Sequence, residues 1–108
     1  MTFEEVQIEF VGISPEREMR NLIATIAERL HFSAPSDSAI RVGMSKDGRN
    51  KLHASCRIAS KAGTFIAVAT GQKPAQTLAL LEQKVNDQLL GWKRTRFAHN
   101  NFQNGLLG

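Results

Sequence analysis

The sequence predicts an α+β domain: a two-layer β-α-β-β-β-α sandwich with two helices packed on one face of a four-stranded sheet. Three observations predict it. Apolar residues alternate with polar ones at Val6, Ile8 and Phe10, at Ile40, Val42 and Met44, and at Leu52, Ala54, Cys56 and Ile58, the period of strands with one buried face. Two longer stretches, 19–30 and 78–92, repeat their apolar residues at helical spacing. One helical stretch separates the first strand from the next, after which three strand-like runs follow in succession before the second helix. With 108 residues, the chain can bury roughly two-thirds of its unfolded surface, enough for one domain but not for a separate cofactor domain.

The first strand is short, starts near Phe3 and ends near Phe10. Ser14 followed by Pro15 and Glu16 then reads as a helix start: the hydroxyl can accept an orphan N–H, proline suits the first turn, and the acid favours the positive end of the dipole. Met19, Leu22, Ile23, Ile26, Ala27 and Leu30 form one continuous stripe, so the spacing predicts a helix over 15–31. Ala34-Pro35 ends it, because proline cannot continue the ladder and restricts the residue before it.

The alternation at 40–45 and 51–58 predicts an antiparallel hairpin around the polar turn 46–50, with Asp47-Gly48 at its centre. Its wet face carries Arg41, Lys51, His53 and Arg57. A second turn at 60–63 leads to a strand over 64–70 in which both parities are apolar, predicting a strand at least partly covered on both faces. Pro74 suits the first turn of a second helix running to about Trp92, with Leu78, Leu81, Val85, Leu89 and Trp92 on one stripe, and Gly91 weakens its last turn by about 1 kcal/mol. Residues 1–94 are thus expected to form the α+β domain and residues 95–108 a polar, flexible tail, extended or disordered beyond about Phe97.

Because a helix separates the first strand from the hairpin, that strand enters the sheet by a crossover, while the last three strands form a meander. Composition excludes several function classes. The single cysteine, Cys56, cannot form an internal disulfide and lies on the apolar parity of its strand, which reads as a buried, inert thiol in a cytoplasmic protein. The longest apolar run, 65–69, is far short of the roughly 20 residues of a membrane span. His31, His53 and His99 are scattered without metal-ligand spacing, the glycines form neither a phosphate loop nor a dinucleotide fingerprint, and Ser14 and Ser36 sit in no nucleophile motif. We therefore expect no metal, no cofactor and no enzymatic activity.

The net charge of +4 is unevenly distributed. Residues 1–40 hold three basic and seven acidic residues, a balance of −4, whereas residues 41–108 hold eleven and three, a balance of +8. The candidate anion-binding residues follow from this: Arg41, Lys51, His53 and Arg57 on the hairpin face, Lys46, Arg49 and Lys61 in the flanking turns, and Lys73, Lys84, Lys93, Arg94 and Arg96 along or after the last helix. Such a surface neutralises phosphates by counterion release. The hairpin face has no aromatic platform, which favours shape or phosphate recognition over readout of single-stranded bases. Lys93 and Arg94 are also explained by a helix C-terminus, which attracts cations whatever the function.

The order and lengths of the elements, the Ile-Ser-Pro-Glu start of the first helix, the run KLHASCRI at 51–58 and the closing LLEQKVNDQLLGWKR at 80–94 resemble the bacterial ribosome hibernation promoting factors, also called ribosome-associated inhibitor or sigma-54 modulation proteins. The resemblance spans about residues 6–94 and looks like the short form, without the extra dimerisation domain. It implies a protein that sits on the small ribosomal subunit, against ribosomal RNA in the channel for messenger and transfer RNA, and blocks translation under stress. Family members usually carry an Asp-x-Tyr step where this chain has Lys73 and Ala75. Two other readings fit the residues. One is a double-stranded-RNA-binding-like module, which shares the α-β-β-β-α order. The other is a protein-interaction domain that pairs with itself or a partner through the sheet edge or the tail at 97–107.

Overall fold

The computed structural model describes the backbone of residues 6–107 and the side chains of residues 6–95. Its elements are β1 (Val6–Val11), α1 (Arg17–Ser33), β2 (Ala39–Lys46), β3 (Leu52–Ser60), β4 (Gly63–Gly71) and α2 (Pro74–Leu107). The strands form one sheet in the order β1-β2-β3-β4. β1 lies parallel to β2 across the α1 crossover, and β2, β3 and β4 are antiparallel neighbours. The predicted α+β architecture is the observed one.

The period-two pattern determines which face is covered. Ile40, Val42 and Met44 of β2, Leu52, Ala54, Cys56 and Ile58 of β3, and Ala67 and Ala69 of β4 are buried on one side of the sheet. Ile23, Ile26, Ala27 and Leu30 of α1 and Leu78, Leu81, Val85 and Leu89 of α2 close over them. Each fully buried Leu or Ile contributes about 1.5–3 kcal/mol of transfer free energy. The strand residues facing α2 are small: Cys56 pairs with Ala67 and Ala54 with Ala69. That lets the large leucines of the helix fill the layer at interior density. At the start of α2, Thr77 returns both its N–H and its hydroxyl to the Lys73 carbonyl, at 3.0 and 2.8 Å, and a Cβ at Gly71 would collide with that hydroxyl.

Four local expectations change. α1 begins at Arg17 with Glu16 in the capping position and no side-chain cap, so the Ser14 hydroxyl does not start it; the chain is still extended at Glu16. In the β2–β3 turn, the left-handed residue is Asn50 (φ 61). Asp47 N–H bonds to Lys51 C=O and Asn50 N–H to Asp47 C=O, both at 3.0 Å, so the loop closes one residue later than an Asp-Gly turn would. β4 is covered on one face only, leaving Ile66 and Val68 exposed. Finally, α2 does not end near Trp92 but runs to Leu107. Once the packed segment around Leu78–Leu89 has nucleated the helix, each further residue adds a hydrogen bond, and no proline after Pro74 interrupts it.

Candidate nucleic-acid interface

On the side of the sheet away from the helices, three cross-strand rows span all four strands. Gln7, Arg41, Arg57 and Ile66 form the first, Glu9, Gly43, Ser55 and Val68 the second, and Val11, Ser45, His53 and Thr70 the third. Arg41 and Arg57 are therefore direct neighbours. Like charges placed opposite each other repel. Neither guanidinium has a carboxylate partner among the described residues; Arg41 donates only to Gln7 Oε1, at 3.3 Å. The pair leaves an unneutralised positive spot on an open surface, which suits a phosphate.

The rest of this face is less basic than the sequence predicts. Val11, Ile66 and Val68 are 60%, 58% and 59% exposed on it. Around Gly43, an open depression of ≈ 460 Å³ is bordered by Glu9, Ser55 and Val68. His53 shares the face with the two arginines but turns to Asp47, Nε2 to Oδ2 at 2.9 Å.

The remaining cations gather at the two ends. At the hairpin end, Lys46 closes β2 opposite Leu52, on the helix side of the pleat. Lys51 precedes β3 and belongs to the turn instead of the strand. Asp47 organises this loop: its Oδ1 accepts the N–H groups of Arg49 and Lys51 at 2.8 and 3.0 Å. The His53 hydrogen bond, followed by these two backbone donors, lowers the Asp47 carboxyl to about 2. Lys73 stands at the same end, because Gly71 pairs with Leu52 and α2 begins at Pro74.

At the opposite end, Lys61 sits in the β3–β4 turn, its N–H held by Asp37 Oδ2 at 2.8 Å, and it shares a cavity with Lys93. Lys93 and Arg94 lie within α2 and not in its last turn, so the helix C-terminus does not account for them. Lys84 serves the fold directly, donating from Nζ to the Val68 carbonyl at 2.9 Å. The Arg96 side chain lies outside the described residues.

Of the twelve candidates, the structure groups Arg41 with Arg57, groups Lys46, Arg49, Lys51 and Lys73, and groups Lys61 with Lys93; it does not merge them into one stripe. Sequence reasoning missed Phe32. This α1 residue is 93% exposed and lies on the side of the helix opposite the buried stripe. The signal was available as an apolar residue next to the helix stop at Ala34-Pro35. Cys56 is buried and burial alone pushes its thiol up to about 12. Among the described residues, no helix is long and apolar enough to cross a membrane.

The fold defines a class: two-layer α+β domains whose mixed sheet is covered by two helices on one face and open on the other. Two solved structures are similar to this chain. One is a ribosomal subunit interface protein from Coxiella burnetii, with TM-score 0.64 and 20% identity, covering 82% of this chain and 98% of that one. The other is the N-terminal domain of Protein Y from Thermus thermophilus, with TM-score 0.55 and 16% identity, covering 81% and 94%. At these identities the likeness shows the shared fold, which is consistent with the hibernation promoting factor family that the sequence resembles. No family model and no curated protein matches the chain.

Proposed function

We propose that this chain is a cytoplasmic, ribosome-associated translation inhibitor of the hibernation-factor type, which binds the RNA channel of the small subunit under stress. The observation that carries the reading is the fold it shares, over about four-fifths of its length, with a ribosomal subunit interface protein. The charge distribution supports it: the excess of basic residues falls on the sheet, turns and second helix, where Arg41 and Arg57 stand unneutralised by any described carboxylate. The protein would act by occupying the channel, with the packed core holding its cations in place, and it needs no chemistry to do so.

Co-sedimentation with purified small subunits at moderate salt tests this. Binding should weaken with salt at a slope of about −0.7 to −0.9 per phosphate contact, and Arg41→Glu with Arg57→Glu should abolish it while the protein stays folded. Folded protein that stays in the supernatant overturns the reading. Equal competition by an unrelated RNA duplex assigns the chain to the duplex-RNA module, and partner binding that survives both charge reversals assigns it to protein interaction.

A further inference from the structure

At the end of the sheet opposite the β2–β3 hairpin lies a wide, open cavity of ≈ 830 Å³, formed by the end of α1, the β3–β4 turn and the middle of α2. Its wall brings together Phe32, Trp92, Lys61 and Lys93, residues far apart in the chain. Phe32 contributes nothing to the core, being 93% exposed. Trp92 is the reverse: it is half-buried and held edge-to-face on Phe65, with ring centroids 6.2 Å apart and an interplanar angle of 67°. One ring is available for stacking and the other is a fixed wall. Asp37 also lines the cavity and anchors the β3–β4 turn through the Lys61 N–H, so the backbone of this exposed lysine is positioned.

We infer that this cavity is a site for a nucleobase and its attached phosphate, with the base stacked against Phe32 and the phosphate taken by Lys61 and Lys93. Aromatic faces beside cations are the combination that holds unstacked nucleotides, since every base has a π-face and every linkage a negative charge. Besides the two lysines, the polar lining is the Asp37 carboxylate, which only accepts, and the hydroxyls of Ser33, Ser36 and Thr95, which accept as well as donate. The carboxylate favours a base edge with an exocyclic amino donor, hence adenine over uracil. A free nucleotide and single-stranded RNA both present this chemistry. The inference does not depend on ribosome binding, which is read by co-sedimentation, whereas this site is read by direct titration.

Trp92 is the only tryptophan and the chain has no tyrosine, so its emission reports on the cavity. Adenosine 5′-monophosphate, uridine 5′-monophosphate, ribose 5-phosphate and a six-residue adenylate oligonucleotide are each titrated against the full chain at low and moderate salt. Saturable quenching by the adenylates, weaker quenching by uridylate and none by ribose phosphate are expected. Phe32→Ala, at an exposed position, should remain folded and weaken adenylate binding about tenfold. Lys93→Ala should reduce the salt slope for the oligonucleotide by about 0.7. An oligonucleotide that binds more tightly than the monophosphate identifies the strand as the ligand, and equal binding identifies the free nucleotide. The inference is overturned if no adenylate gives a saturable change, if ribose phosphate matches adenylate, or if Phe32→Ala leaves the titration unaltered.

Discussion

Arg29 of α1 and Glu82 of α2 meet in a two-pronged ion pair, Nε to Oε2 and Nη2 to Oε1, both at 2.8 Å. It is the polar clasp between two helices whose inner stripes are joined by apolar packing. The arginine is more than half exposed and the glutamate is not, so solvent screens the pair from one side. Glu82→Gln should lower Tm by only about 2–4 °C, and the difference should shrink in high salt. Calorimetry of both proteins at two ionic strengths measures this; a salt-independent loss would mean that the residue acts through packing.

Asp47 makes the hairpin acid-sensitive. Its carboxyl titrates at about 2 in the folded protein, below the ordinary carboxylate range, because His53 and two backbone N–H groups bind the charged form. Such a depressed group contributes stability that is fully present above the unfolded pKa near 4 and is lost as pH falls through about 2. Asp47→Asn should therefore be less stable than the parent at pH 6, with the gap closing between pH 4 and 2. Urea midpoints across that range give the answer, and a constant gap would remove the electrostatic explanation.

Cys56 should be silent. It is buried between the sheet and the helices, and its thiol is pushed up to about 12. At pH 8 a thiol-specific disulfide reagent should label the native protein only at the rate of its unfolding, and the denatured protein at once. Rapid labelling of the native chain would show that the core opens locally at β3.

The free edge of β4 is occupied by α2. Lys84 Nζ and Gln88 Nε2, one helical turn apart, donate to the carbonyls of Val68 and Ile66 at 2.9 and 2.6 Å. An unpaired edge beside exposed Ile66 and Val68 is a template for strand pairing. The double variant Lys84→Ala, Gln88→Ala should increase concentration-dependent self-association in sedimentation velocity, with little change in Tm. Unchanged sedimentation would show that the bulk of α2 alone protects the edge.

The hairpin turn illustrates how far sequence reading reaches. Polar residues between two alternating runs announce a turn, and the alternation itself sets the register Val42 with Cys56, because a one-residue slip would turn every core side chain outward. Which residue takes the left-handed conformation depends on where the loop hydrogen bonds close, and the Asp47 and Lys51 main chains place it at Asn50 and not at Gly48. Likewise Lys51 and Lys46 read as members of a basic face or its flanks, yet the pairing limits set one in the turn and the other on the helix side.

The sequence by itself determined the element order, the α+β class, the buried parity of β2 and β3, and the excess of positive charge after residue 40, since each depends on neighbours within a turn or a strand. Only the tertiary structure decided where that charge goes. The sheet register makes Arg41 and Arg57 neighbours, α2 draws Lys84 to a strand edge, and the crossing of α1, the β3–β4 turn and α2 brings Phe32, Lys61, Trp92 and Lys93 to one cavity. Those juxtapositions come from packing over long sequence separations, which no local periodicity encodes.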